Sequence, residues 1–342
     1  MKLNTVIAIA LAASMAVSAQ AKDIEMQSIF PGTLPLLGEG AISLGETVGT
    51  LTDGSLNINF NNPGELVGAS GLWDAVSTGA VDAGWMAPGF AEGVVPSAAL
   101  FTAFPFGPDA REYTAWWYNG GGAELWAEVT SGFNVHTELC TILAPEASGW
   151  FREEITDIAQ LEGKKMRIFG MGAAVMQKLG VAAQSMSPAD TFSALNLGTI
   201  DAAEFSFPAI DYAVGMHEHA KHYYFPGWHQ QSSLITFIIN KDVWNDLSDK
   251  ERLAISQSCK GLVASTIAEG EAIQREPLAK MQAENGVTIH RWSDEILGQF
   301  QGAWTEVIAE KTAQNDELKK VWDHISAFRD GYAEWSGLGY VD

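Results

Sequence analysis

Thr78-Gly79-Ala80-Val81-Asp82-Ala83-Gly84-Trp85 and Leu197-Gly198-Thr199-Ile200-Asp201-Ala202-Ala203-Glu204 are two versions of one pattern. In each, a helical stretch ends at a glycine, a β-branched residue and Asp-Ala follow, and a short strand begins. Around the first copy the residues read as strand (24–29), helix (36–51), strand (56–60), helix (64–76) and strand, with turns at 31–33 and 52–54. Around the second, 165–168 is strand-like, 173–179 helical and 184–186 strand-like, and 188–195 is helical behind a capping Ser187. Strands alternating with helices predict an α/β fold with parallel sheets, and the repeated unit predicts two lobes of related architecture.

Length agrees with two lobes. The chain has 342 residues, 47% of them hydrophobic. A basic start at Lys2, an apolar run over 6–17 and the small residues Ser18-Ala19-Gln20-Ala21 read as an export signal cleaved after Ala21. The run is shorter than the roughly 20 residues of a spanning helix. A buried N-terminal helix is the alternative reading. The expected mature protein lies free in the periplasm. Its net charge, −22 at pH 7 for the whole chain, opposes binding to nucleic acid or anionic lipid. Capturing an anion then requires positive charge concentrated locally. Cys140 and Cys259 read as one disulfide or as two buried free thiols; neither has histidines or cysteines at metal-ligand spacing.

The rest of the chain is an apolar strand at 234–240 and then mostly helix: 250–259, 262–285 with a kink at Pro277, 293–313 and 317–335. No Gly/Ser linker marks a boundary, which fits lobes joined by crossing strands. Enzyme signatures are absent: no nucleophile elbow, phosphate loop, zinc-helix motif or dinucleotide fingerprint occurs. His217, His219 and His222 do not share a helical face and read as a solvated helix end, with adventitious metal binding as the alternative.

Gly149-Trp150-Phe151-Arg152, Leu161-Glu162-Gly163-Lys164-Lys165-Met166-Arg167, Val175-Met176-Gln177-Lys178-Leu179-Gly180 and Tyr223-Tyr224-Phe225-Pro226-Gly227-Trp228 resemble, in order and spacing, the solute-binding proteins of tripartite ATP-independent periplasmic (TRAP) transporters. Trp117-Tyr118-Asn119-Gly120-Gly121-Gly122 and Ala327-Phe328-Arg329 extend the resemblance across the mature chain. It is greatest to the branch that binds 2-oxo or 2-hydroxy monocarboxylates. The resemblance implies a two-lobed α/β periplasmic solute-binding fold, with a ligand cleft between lobes and a long helix across both. The expected division is 22–145 plus 235–275 for lobe I and 146–234 plus 276–342 for lobe II.

Arg167 lies in the motif that carries the family's carboxylate-clamping arginine, and a guanidinium offers two parallel donors to a carboxylate. By composition alone it would be a surface arginine paired with an acid. Glu204 stands where the branch has a cleft glutamate that helps bind a ligand-bridging metal ion, and Phe205 replaces the tryptophan that follows it. Glu146 stands in place of a metal-binding glutamine. Glu146, Glu204 and Phe205 thus form the implied metal set, and two carboxylates favour Ca²⁺ over Na⁺. The alternatives are a cationic group of the ligand facing the two acids, or two unrelated surface acids. Trp228 and Phe205, with Trp150 and also Trp85, are candidate cleft walls, although most of the 12 tryptophans must be core.

These readings converge on a non-enzymatic binding protein for a small organic acid. It requires no catalytic cofactor, with a bridging Ca²⁺ or Na⁺ as its ion. Its partners are TRAP permease subunits, with no nucleic acid, and it is a monomer or a dimer. A hydrolase using Asp201 or Glu204 as base, a metal-free carrier of a zwitterion and a sensory module are the rival readings.

Overall fold

The computed structural model describes residues 21–186 and 188–340. The signal-peptide reading of 1–20 and the capping role of Ser187 lie outside the described residues. In chain order the strands are β1 (Lys22–Ser28), β2 (Leu56–Asn61), β3 (Ala83–Met86), β4 (Val135–Leu143), β5 (Gly149–Phe151), β6 (Lys165–Arg167), β7 (Ala182–Gln184), β8 (Ala202–Ala203), β9 (His222–Phe225), β10 (Ser233–Asn240) and β11 (Thr288–Arg291). They form two sheets, ordered β2-β1-β3-β10-β4 and β11-β9-β5-β8-β6-β7.

The two sheets are mixed rather than wholly parallel. In the first, β10 runs antiparallel to β3 and β4; in the second, β5 runs antiparallel to β8 and β9. These are the two strands reached directly from the other sheet, β5 from β4 through 144–148 and β10 from β9 through 226–232. A strand entered from the far lobe comes in from the opposite end, so its direction reverses. All eight residues of β10 are buried, which explains why apolar residues dominate it.

The repeated sequence unit has a structural counterpart. Asp82 Oδ2 accepts the Glu25 N–H of β1 at 3.0 Å, and Asp201 Oδ2 accepts the Lys165 N–H of β6 at 2.8 Å. Each aspartate pins the parallel strand beside its own, β1 beside β3 and β6 beside β8. Smaller shifts from the sequence reading occur elsewhere. Helix over 64–76 begins only at Leu72, after a 3-10 turn at Ala69–Gly71, because Pro63 and Gly64 (φ +84°) hold the preceding residues in a loop. The strand read at 184–186 lies at 182–184.

One 24-residue helix, Asp249–Ala272, is capped by Ser248 in a capping box and joined to β4 by the disulfide Cys140–Cys259. It packs along β4 and continues as Arg275–Asn285 against the helix Pro208–Ala213 of the second lobe, where Gln274 Oε1 accepts the Ala209 N–H. The pair therefore crosses both lobes. The bend falls at Ile273 and Gln274, four and three residues ahead of Pro277, since the proline ring excludes the carbonyl one turn back.

The last two helices separate. Asp294–Gln314 lies on Met171–Lys178 of the second lobe, with Lys178 Nζ bonded to Glu310 at 2.6 Å. Asp316–Gly339 returns to the first lobe, against Ala110–Asn119 and Gly122–Val129, so the assignment of everything after 276 to lobe II does not hold at its end. There the two outlying motifs meet: a Cβ on Gly120 would lie 2.6 Å from the Phe328 ring, and Arg329 bonds Glu112. The histidine cluster is not a solvated helix end. His217 is buried and stacked on Tyr212, His219 meets Phe192, and His222 bonds His290 across β9 and β11.

Candidate functional site

Parallel pairing of β6 with β8 sets the end of one beside the end of the other. Arg167 closes β6 and Glu204 directly follows β8, with the Glu204 N–H on the Arg167 carbonyl at 2.9 Å. The two crossing segments lie against the same spot. Glu146 N–H donates to Gln230 O, Ala147 N–H to Ser206 O, and Ser148 N–H to Tyr224 O. The segments approach so closely that a Cβ on Gly227 would sit 2.1 Å from the Glu146 carbonyl oxygen, which only glycine avoids. That contact brings His229 alongside Glu146 and Glu204.

Four ionisable side chains converge, all buried: Arg167, Glu204, Glu146 and His229. Arg167 Nη1 donates to Glu204 Oε2 at 2.9 Å and to the Glu204 carbonyl at 2.6 Å, and Nε reaches Met186 O at 3.4 Å. The Phe169 N–H also donates to Glu204 Oε2, at 3.0 Å. Burial alone would raise the Glu204 carboxyl, but Arg167, His229 and the Phe169 amide outweigh it and hold the pKa at about 2. Glu146 lacks such partners. Burial, then the charge on Glu204, pushes its carboxyl well above the ordinary range. Its Oε1 is 3.5 Å from Ser233 Oγ, and its Oε2 has no hydrogen-bond partner among the described residues.

Arg167, Glu146 and Glu204 line a cavity of about 50 Å³ between the two sheets, and His229 sits beside the two glutamates. Its lining combines the polar Arg167, Glu146, Glu204, Ser206, Gln230, Ser233 and Thr102 with apolar residues, Phe30, Leu37, Phe90, Leu143 and Ile235 from the first lobe and Phe169 and Phe205 from the second. Phe90 and Phe169 stack across the gap between lobes, with centroids 4.8 Å apart. Such a space suits a solute of a few heavy atoms.

The structure thus brings Arg167, Glu146, Glu204 and Phe205 to one cavity. Phe205 also lies under the Arg167 guanidinium, 5.7 Å from ring centroid to Cζ. Trp150, Trp228 and Trp85 are not cavity walls. Trp150 stacks on Tyr223 inside the second lobe and donates Nε1–H to the buried Asp211. Trp228 stacks on Phe300, and Trp85 donates to the Leu37 carbonyl within the first lobe. An indole gains most from burial on all sides, and the packed interiors of the lobes supply that here. Asp201, occupied with the Lys165 amide, is also away from the cavity. Sequence reasoning missed His229 and Asp211. The Asp211 carboxylate accepts from Trp150, Tyr223 and the Ser206 amide, so it anchors the wall segment next to Glu204.

Residues 32–315 match the family described as bacterial extracellular solute-binding protein, family 7 (DctP). The chain belongs to that family. Family 7 members are substrate-binding proteins rather than enzymes, and this chain is of the TRAP transporter type. The monocarboxylate 2-oxoacid-binding periplasmic protein of Nostoc sp. is 30% identical over 297 residues, 87% of this chain and 81% of that protein. A TRAP solute-binding protein from Bordetella bronchiseptica, a dimer with calcium and picolinate in one site, superposes with TM-score 0.90. It is 30% identical and covers 94% of this chain and 95% of its own. One from Pseudoalteromonas atlantica with bound sodium and pyruvate gives 0.89 at 26% identity, covering 94% and 97%. Both confirm the two-lobed α/β architecture. Among the described residues, no helix is long and apolar enough to cross a membrane.

Proposed function

We propose that this family 7 protein captures a small 2-oxo or 2-hydroxy monocarboxylate in the cavity between its lobes, with a cation held beside the acid. The observation that carries this reading is the convergence of Arg167 with two buried carboxylates, one of which has an unsatisfied oxygen. Arg167 has one fork half engaged by Glu204, which leaves Nη2 as its donor toward a ligand carboxylate. The two-pronged grip expected from sequence is therefore shared with a glutamate. With Glu146 ionised by the ion it holds, two glutamates and a ligand carboxylate bring three negative charges against one arginine. A divalent cation balances them, whereas a monovalent one leaves a charge uncompensated. Glu146 and Glu204 would hold the ion through their oxygens, and Phe205 could join only through its carbonyl. The cation would polarise and orient the carboxylate and 2-oxygen of the solute. Calcium and sodium in the similar structures support an ion at this place.

In this reading the lobes are 22–145 plus 235–275 and 146–234 plus 276–314, strapped by the final helix. Closure of the lobes traps the acid, and the closed form is what a membrane TRAP permease receives. The protein is exported, cleaved after Ala21 and free in the periplasm, and performs no catalysis. Thermal denaturation with pyruvate, lactate, longer oxo acids and zwitterions, each with divalent cation and with chelator, tests it. Stabilisation by a monocarboxylate that is lost in chelator is expected. Equal stabilisation by a zwitterion in both conditions would refute the bridged site and favour a metal-free carrier.

A further inference from the structure

We propose that His229 makes this a site for a divalent first-row transition cation, of the Zn²⁺ or Co²⁺ kind, rather than for Ca²⁺ or Na⁺. The inference deepens, and rests on, the reading of a cation-assisted acid site.

The His229 side chain is fully buried, and neither ring nitrogen has a hydrogen-bond partner among the described residues. A buried polar group left unpaired is costly, so such a ring calls for an occupant at its nitrogen. Nε2 points into a gap between two carboxylates: it is 3.7 Å from Glu204 Oε1 and 3.9 Å from Glu146 Oε2. One ligand atom from each of Glu146, Glu204 and His229 falls within 4.8 Å of the others. Both separations are longer than a hydrogen bond. Both lie below the roughly 4.0–4.4 Å that two bonds of about 2.0–2.2 Å can span, so one ion can reach Nε2 and each carboxylate after a small inward shift of the side chains.

The donor types then choose the ion. Ca²⁺ and Na⁺ are hard and are held by oxygen; a fixed imidazole is wasted on them. Zinc, cobalt and nickel bind imidazole readily, and two carboxylates with one imidazole leave positions open for the oxygens of a bound acid. The ring is also held in place. Gly172 passes so close that a Cβ there would lie 3.0 Å from His229 Cβ, and Trp228 flanks the ring edge-on.

The test uses the metal-stripped, full protein titrated calorimetrically with Zn²⁺, Co²⁺, Ca²⁺ and Na⁺, with and without pyruvate. Zn²⁺ and Co²⁺ are expected to bind one equivalent at least about tenfold more tightly than Ca²⁺. The Co²⁺ form should show visible absorption bands that change when pyruvate is added. His229→Gln is expected to abolish the preference and the Co²⁺ bands, while Glu146→Gln weakens Zn²⁺ and Ca²⁺ together. Ca²⁺ binding as tight as Zn²⁺ in the unaltered protein, or an unchanged ratio in folded His229→Gln, would overturn the proposal. Should His229→Gln fail to fold, His229→Asn and the cation ranking of the unaltered protein decide it. Cation preference without any effect of a monocarboxylate would instead overturn the proposed function and leave this inference standing.

Discussion

The Arg167 guanidinium bonds Glu204 twice, Nη1 donating to the carboxylate at 2.9 Å and to the main-chain carbonyl at 2.6 Å, with both side chains buried. The pair is at once the base of the cavity and a structural joint between β6 and β8. Removing the guanidinium therefore does two separable things: it deprives a ligand of a donor and leaves a buried carboxylate without its counter-charge.

Arg167→Lys keeps the charge but loses the second donor. Affinity for the bound monocarboxylate is expected to fall about 10- to 100-fold, the worth of one charge-assisted hydrogen bond. Arg167→Ala strands Glu204 and should cost about 3–5 kcal/mol of stability. Calorimetric titration and chemical denaturation read the two effects. Unchanged affinity in the lysine variant would remove Arg167 from the site.

Asp211 predicts a pH dependence. Its burial lifts the carboxyl from 3.8 to about 7, against the bonds from Trp150 and Tyr223. A folded-state pKa above the unfolded one means that the stabilising contribution is fully present below about 3.8 and is lost as pH rises through 7. Glu146 has the same sign. Glu204 has the opposite one, its contribution being lost as pH falls toward its folded value of about 2. In chelator, Asp211→Asn should flatten the decline in stability between those two Asp211 values, measured by denaturation across a pH series. An unaltered slope would show that Asp211 does not titrate in that window.

Phe90 and Phe169 join the lobes over the cavity, and the Phe169 amide also bonds Glu204, so closure and the charged pair share a residue. Phe90→Ala should weaken every bound acid by about two- to tenfold, the worth of one aromatic pair, without changing their ranking. Small-angle scattering should give the liganded variant a larger radius of gyration than the liganded parent. A reordered ranking would mean that Phe90 selects the ligand rather than latching the lobes.

The disulfide Cys140–Cys259 closes a loop of 119 residues between β4 and the lobe-spanning helix. Replacing both cysteines with alanine is expected to lower stability by about 2–5 kcal/mol, the range for a native disulfide, while solute affinity measured below the melting transition stays within twofold. A large loss of affinity would tie the bond to the site.

Most of the architecture was legible because its signals are local. The Asp82 and Asp201 units, the apolar run of β10 and the capped helices each lie within a short window whose period reports the element. Strand direction was not legible for β5 and β10, because it depends on which lobe the chain arrives from. The pairing of Arg167 with Glu204 was approachable through the resemblance, and parallel β6 and β8 place them together.

Sequence by itself determined two α/β units and their repeated Asp-Ala turn, and only the family resemblance pointed to Arg167, Glu146 and Glu204 as residues for a small acid ligand. Tertiary structure alone decided which groups come together. Glu146, Glu204 and His229 lie on three separate segments with no spacing that links them, and they meet only because two interlobe crossings touch at Gly227. It also decided that Trp150 and Trp228 belong to the core. An indole suits a cleft wall or a packed interior equally until the faces of the sheets and the helices covering them are in place.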